Sequence, residues 1–217
     1  MAPARGHFIT LEGGEGVGKS TLMTGLAAEL RSRGLGVLET REPGGSAGGE
    51  ALRKLILDPP ENVTWSALSQ TLLFNAARRN HLDDLIEPAL ARGDWTICDR
   101  FSDSTRAYQA AAGGVAMEDV LALENIAIGV RGPDLTLILD MPIDTAADRR
   151  RARGGPLDPF EAEDEAFHER ARMAFLAIAE VEPERCVVID ASQSAEAVLS
   201  EALTAVEMRF DGASVPS

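Results

Sequence analysis

Residues 11–21 read LEGGEGVGKST. Gly13 and Gly18-Lys19-Ser20 are separated by four residues, a glycine-rich spacing that lets backbone N–H groups converge on phosphate oxygens. The stretch follows an apolar run, HFITLE at 7–12, and precedes Leu22, Leu26 and Leu30 at helical spacing. That context predicts a strand, a phosphate-holding loop and a helix whose N-terminus adds its positive end. The loop is Gly13, Gly14, Glu15, Gly16, Val17, Gly18, Lys19, Ser20 and Thr21, with Lys19 reaching terminal phosphates and Ser20 offering an oxygen to Mg²⁺. Glu15 puts a carboxylate in the middle of an anion-binding loop.

Outward from the loop, short apolar runs alternate with longer helical patterns. Strands are expected near 7–12, 36–40 (GVLET), 95–99 (WTICD), 135–140 (LTLILD) and 186–190 (CVVID). Alternation of this kind specifies an α/β fold with a parallel sheet and crossover helices. The first helix ends at Gly34 as a C-cap. A second carries Leu72, Leu73, Ala76 and Ala77, a third spans about 117–130, and a last runs from about 194 to 209 with Ser194 as N-cap. Residues 141–180 read as two helices broken at RGGPLDP, where two glycines and two prolines cannot continue a helix. The tail, 211–217, is expected to fray.

The chain has 217 residues, 45% of them apolar, which suits one domain over 1–217. No run of about 18 apolar residues could span a bilayer, and the first ten residues lack a secretory core, so a cytoplasmic protein is expected. A net charge of -14 argues against nucleic acid or an anionic membrane as partner. Cys98 and Cys186 sit in apolar runs and read as core thiols. Against the acidic background, Arg149, Arg150, Arg151 and Arg153 crowd into five positions, a cluster suited to phosphate.

A phosphate loop alone admits a switch GTPase, a motor ATPase or a small-molecule kinase. The guanine-reading Asn/Thr-Lys-x-Asp string of the switch is absent, and the chain is short for a motor. Ligands of an open parallel sheet gather at the C-terminal ends of its strands. There this chain has TREPGG (40–45) and DRFSDSTRAYQ (99–109), with LFNAARR (73–79) on a nearby helix.

With RGPDLTLILD (131–140), these stretches closely resemble the thymidylate kinases of bacteria, from about residue 7 to about 193. The resemblance implies a P-loop nucleoside-monophosphate-kinase-like three-layer sandwich with a five-stranded parallel sheet and a short lid. It further implies transfer of the γ-phosphoryl of ATP to dTMP, with Mg²⁺, by a homodimer. Another nucleoside monophosphate or deoxynucleoside kinase is the alternative, and a nucleotide-binding regulatory protein without turnover a third.

Carried onto matching positions, Arg41 and Arg100 resemble the acceptor-phosphate clamp, and Phe74 the ring that stacks on thymine. Arg78 matches a donor to a base carbonyl, and Tyr108 the ring that crowds the ribose 2′ position. Ser104, Thr105 and Gln109 match acceptor-edge positions, and Glu15 a partner of the sugar 3′-hydroxyl. Asp99 is implied to assist Mg²⁺ alongside Ser20, and residues flanking Asp190 to Gln193 to approach the adenine. Read without the resemblance, Phe74 and Tyr108 are also ordinary core aromatics, and Arg41 and Arg100 ion-pair partners of Glu42 and Asp99. Arg79, His81, Asp83 and Asp84 read as a solvated helix face; His7 and His168 receive no role.

Related enzymes carry a catalytic arginine in the phosphate loop or in the lid. Here the loop position is Gly16, so the charge is expected from the lid, about 148–161: Arg153 first, with Arg149 and Arg151 as alternates. Lys19 and Arg100 complete the catalytic set. The family lid commonly reads Asp-Arg-x-Glu where this chain has Asp158-Pro159-Phe160-Glu161, so Pro159 replaces an arginine.

Overall fold

A computed structural model describes residues 4–154 and 159–210, except the side chain of Arg153. Residues 155–158 of the expected break RGGPLDP (153–159) and the tail at 211–217 lie outside the described residues. Five strands, β1 (Phe8–Gly13), β2 (Val37–Arg41), β3 (Trp95–Asp99), β4 (Leu135–Asp140) and β5 (Cys186–Asp190), form one sheet in the order β2-β3-β1-β4-β5. Every pairing is parallel. The central strand β1 is buried at all six positions, and β3 and β4 at all but their last. Strands covered on both faces read as continuous apolar runs, which is why they were legible.

Alternate residues of each strand enter different layers. Ile9, Leu11, Ile97 and Leu137 meet Leu22, Leu26 and Leu30 of α1 (Lys19–Ser32) and Val198, Val206 and Phe210 of α9 (Ala195–Phe210). Phe8 and Cys98 point the other way, onto Leu82, Ile86, Leu90 and Ile128. Ile138 and Cys186 pack under Phe167 and Phe175 of α8 (Glu165–Val181). Each fully buried Leu, Ile or Phe contributes roughly 1.5–3 kcal/mol, so these layers hold the sheet between two helical faces. Cys98 and Cys186 are buried free thiols, pushed up by burial, Cys186 to about 11.

Helix ends follow the sequence. Gly34 takes φ 82 just past α1 and donates to Arg31 O, closing the helix as expected. Ser194 Oγ accepts from Ala197 N, capping α9. An additional helix, α2 (Ala47–Leu57), starts at Ser46, whose side chain accepts from Gly49 N.

Two helices contain widened turns. The run α3 (Ala67–His81), a π turn (Leu82–Ile86) and α4 (Glu87–Ala91) is continuous, and the π turn lies just before Pro88, which has no N–H to give an α-helical bond. After β3, α5 (Ser102–Thr105) passes into a second π segment, Arg106–Ala112. The expected helix at 117–130 is α6 (Met117–Ile128), and the pair around the break is α7 (Ile143–Arg153) and α8.

The expected helix with Leu72, Leu73, Ala76 and Ala77 is α3, although Leu72 is 50% exposed. One expectation fails there: His81 is fully buried rather than on a solvated face. The buried side of α3 is instead polar, with Thr71, Asn75, Arg78 and His81 turned inward. Asp83 and Asp84 are exposed as expected, and Asp83 pairs with Arg79 at 2.6 Å.

Candidate active site

Register brings the strand ends together: Leu11 pairs with Asp99, Arg41 with Asp99, and Gly13 with Leu139. The loop after β1, the turn after β2 and the segment after β3 therefore open on one edge of the sheet. Between them lies a cavity of about 520 Å³. Its walls include Glu15, Gly16, Gly18, Lys19, Ser20 and Thr21 from the loop, and Arg41, Phe74, Arg78, Asp99, Arg100, Ser104, Thr105, Tyr108, Gln109 and Arg149 from elsewhere. Gly13, Gly14, Val17 and Arg151 instead border a smaller cavity of about 290 Å³ against α7 and α8.

Arg100 stands at the centre. It is a non-glycine residue at φ 68, a conformation that costs on the order of 1 kcal/mol and persists only where surroundings impose it. Its Nη1 donates to Gly13 O and Ser104 Oγ, both at 3.1 Å, and its Nη2 to Glu15 Oε1 at 2.5 Å. The guanidinium also lies 5.2 Å from the centre of the Tyr108 ring. Burial opposes its charge, but Glu15, Tyr108 and Asp99 hold it well above the ordinary value. The alternative reading of Arg100 as an ion-pair partner of Asp99 gives way to Arg100–Glu15.

Glu12, one residue before the loop, explains how this segment is held. Fully buried, it accepts from Phe101 N at 2.7 Å, Ser104 N at 3.2 Å and Ser104 Oγ at 2.6 Å. Asp103, also fully buried, is gripped by Arg185 Nη1 and Nη2 at 2.8 and 2.7 Å. These anchors fix the start of the helix carrying Ser104, Thr105, Tyr108 and Gln109. Burial pushes the Tyr108 hydroxyl up to about 12, so it stays protonated, and it has no hydrogen-bond partner among the described residues.

Lys19 Nζ donates to Gly13 O and Gly14 O at 3.2 and 2.7 Å, folded back on its own loop. Burial, then Arg100, lowers its pKa, while Glu15, Asp99 and Glu12 act against them. On the acceptor side, Arg41 Nη2 donates to both oxygens of Glu50, which also takes Gly45 N. The partner is thus Glu50 and not Glu42. Arg78 is 2% exposed and gives Nε to Glu42 Oε2 at 2.8 Å and Nη2 to Phe101 O and Thr105 Oγ1. Phe74 faces Phe160, ring centres 5.8 Å apart.

Asp99 Oδ1 is buried and without a hydrogen-bond partner among the described residues, and it shares the large cavity with Ser20. An orphaned carboxylate oxygen in one cavity with a loop hydroxyl suits a hard divalent cation that also takes phosphate oxygens. Among the described residues no group of three or more His, Cys, Asp or Glu could hold a metal alone.

Packing against α7 explains Gly16. This residue has φ 81, and a Cβ there would meet Ala146 O of α7 at 2.4 Å. No arginine fits at that position without displacing α7. Arg149 and Arg150 both reach the large cavity, with Arg149 Nη1 donating to Ala191 O. Arg151 is 74% exposed and paired with Asp148. Sequence reasoning had missed Arg150, Glu42, Arg53, Phe160 and Glu161 as cavity walls. Arg150 was within reach of it, one residue from Arg149 in the same cluster, as was Glu42 inside TREPGG; Arg53 carried no signal apart from the fold.

Comparison with known proteins now adds independent evidence. The family model for thymidylate kinase matches residues 11–202. A thymidylate kinase of Bradyrhizobium sp. (strain ORS 278) is 50% identical over 211 residues, 96% of this chain and 92% of that one. One from Caulobacter vibrioides is 48% identical over 206 residues, covering 95% and 98%. The crystal structure of thymidylate kinase from Ehrlichia chaffeensis matches with a TM-score of 0.73 at 33% identity, covering 93% of this chain and 99% of that chain. A family model matching most of the chain, and relatives about half identical to it over nearly their whole length, show that this chain belongs to the thymidylate kinase family.

Proposed function

We infer that this chain is a dTMP kinase, transferring the γ-phosphoryl of ATP to dTMP and giving ADP and dTDP by direct in-line displacement. The observation that carries the reading is a single cavity bordered by Lys19, Ser20 and Thr21 together with Phe74, Arg78, Thr105, Tyr108 and Gln109. Arg100, bonded to both the loop and Ser104, joins the two halves.

In this reading the loop backbone and Lys19 hold the β- and γ-phosphates, while Arg41 and Arg100 clamp the acceptor phosphate bidentately. Phe74 stacks on the base and Arg78 donates to its carbonyl. Tyr108 closes the space beside the ribose, and Glu15 accepts the 3′-hydroxyl. Ser20 and Asp99 would hold Mg²⁺, which neutralises charge on the transferring phosphate. Lid arginines complete that neutralisation: Arg153, with Arg149 and Arg150 bordering the cavity.

The protein acts as a single domain and as a homodimer. Leu68, Leu72, Met117 and Leu121 are each at least 42% exposed, and they lie on α3 and α6, which pack together. Apolar side chains grouped on one face support self-association. Among the described residues no helix is long and apolar enough to cross a membrane, and both cysteines are free, which supports a cytoplasmic setting.

The test is a panel of nucleoside monophosphates with ATP and Mg²⁺, read by ADP release. Turnover with dTMP well above the others supports the reading. Preference for another acceptor, or ATP binding without turnover, contradicts it.

A further inference from the structure

His81 stands outside every role assigned so far, yet it is completely buried at the end of α3. Its Nδ1 lies 3.2 Å from Glu42 Oε1, and its Nε2 lies 2.8 Å from Thr40 Oγ1. A carboxylate only accepts, so Nδ1 is the donor of that bond. The other oxygen of Glu42 takes Arg78 Nε at 2.8 Å. A chain of contacts thus runs from the end of β2 through the imidazole and Glu42 to Arg78, which borders the large cavity. The turn after β2 closes tightly over it: at Gly45, with φ 82, a Cβ would meet His81 Nε2 at 2.3 Å and Thr40 Oγ1 at 2.5 Å.

We propose that His81 is a positioning residue for recognition of the acceptor base, acting through Glu42 on the guanidinium of Arg78. The inference rests on the reading of Arg78 as a base-contacting group. A planar guanidinium specifies a carbonyl only when its fork is fixed, and Glu42 fixes it along Nε while Thr105 and Phe101 O fix Nη2. Glu42 is in turn held from its other side by His81. Without that hold the carboxylate, and with it the Nε side of the guanidinium, loses its fixed orientation, while Thr105 and Phe101 O still hold Nη2.

Two variants separate this from mere packing. Asparagine at this position puts an amide N–H near the place of Nδ1, so His81→Asn retains the donor to Glu42. Glutamine reaches instead to the place of Nε2, so His81→Gln retains the contact with Thr40 and loses the one with Glu42. The expected result for His81→Gln is a dTMP KM raised about tenfold with an ATP KM within about twofold, and for His81→Asn a dTMP KM near that of the parent. Equal effects in the two variants, or an unchanged dTMP KM in folded His81→Gln, overturn the proposal.

Thermal unfolding reports whether each variant folds. Should His81→Gln not fold, Glu42→Asp keeps the charge but shortens its reach to Arg78; it must also raise the dTMP KM, and no rise there overturns the proposal. Arg78→Met tests the underlying assignment separately. An unchanged dTMP KM in Arg78→Met overturns both readings. A raised value there, with none in His81→Gln, overturns the positioning role alone.

Discussion

Glu15 Oε1 accepts from Arg100 Nη2 at 2.5 Å, so the carboxylate inside the phosphate loop is tied to the arginine that follows β3. Glu15 borders the same cavity as Lys19, Ser20, Phe74 and Tyr108. A bound acceptor phosphate would compete for the same guanidinium, and in the proposed reading Glu15 then accepts a sugar hydroxyl. Glu15→Ala is therefore expected to raise the dTMP KM by about tenfold or more, with ATP KM within about twofold, in steady-state assays. Equal loss of both would return Glu15 to a structural place in the loop.

With Gly16 packed against α7, the loop has no arginine to offer the transferring phosphate of the proposed reaction. Arg153→Ala is expected to lower kcat at least about tenfold while the dTMP KM changes little, because a contact made only in the transition state is lost. An unchanged kcat would move the role to Arg149 or Arg150, both of which border the cavity. Single alanine variants of all three, compared by kcat, decide between them.

Glu12 gives stability a pH dependence. Burial, reinforced by Asp103, pushes its carboxyl from 4.5 up to about 7, against Arg100 and the hydrogen bonds from Ser104 and Phe101. A carboxyl raised in the folded chain binds its proton more tightly there than in the unfolded chain. Stability is therefore greatest below the unfolded value and falls as pH rises from 4.5 to about 7. The loss is on the order of 3 kcal/mol. Urea midpoints measured across that window should fall less steeply in Glu12→Gln than in the parent. Parallel slopes would contradict the assignment.

The exposed leucines of α3 and α6 predict the quaternary state. Leu72→Glu with Leu121→Glu places charge on the apolar face and is expected to give a monomer in sedimentation at micromolar concentration. A parent that is itself monomeric, or a double variant that remains dimeric, contradicts this surface.

Why these features differed in legibility follows from where the apolar residues point. Strands β1, β3 and β4 are buried on both faces, so FITLEG, WTICD and LTLILD announce themselves, and only β1 and β2 shift by one residue from the expected bounds. Helix α3 misleads because its inward face is the wall of the site. Thr71, Asn75, Arg78 and His81 turn in while Leu68 and Leu72 turn out, the reverse of the usual amphipathic pattern. That inversion hid His81 in an apparently solvated run beside Arg79 and Asp83. Glu42 lay in a legible stretch, TREPGG, but its partners, Arg78 and His81, were hidden because they lie 36 and 39 positions away. Motif residues such as Lys19, Asp99 and Arg100 were legible, since phosphate chemistry restricts both their type and their spacing.

The most direct test of the central claim uses ATP made chiral at its γ-phosphorus with oxygen isotopes, and dTMP as acceptor. One cavity holding donor and acceptor together predicts that the dTDP formed carries the transferred phosphorus with inverted configuration. Retention, which requires two successive displacements through a phosphorylated side chain, would contradict the account, as would failure of dTMP to receive the label.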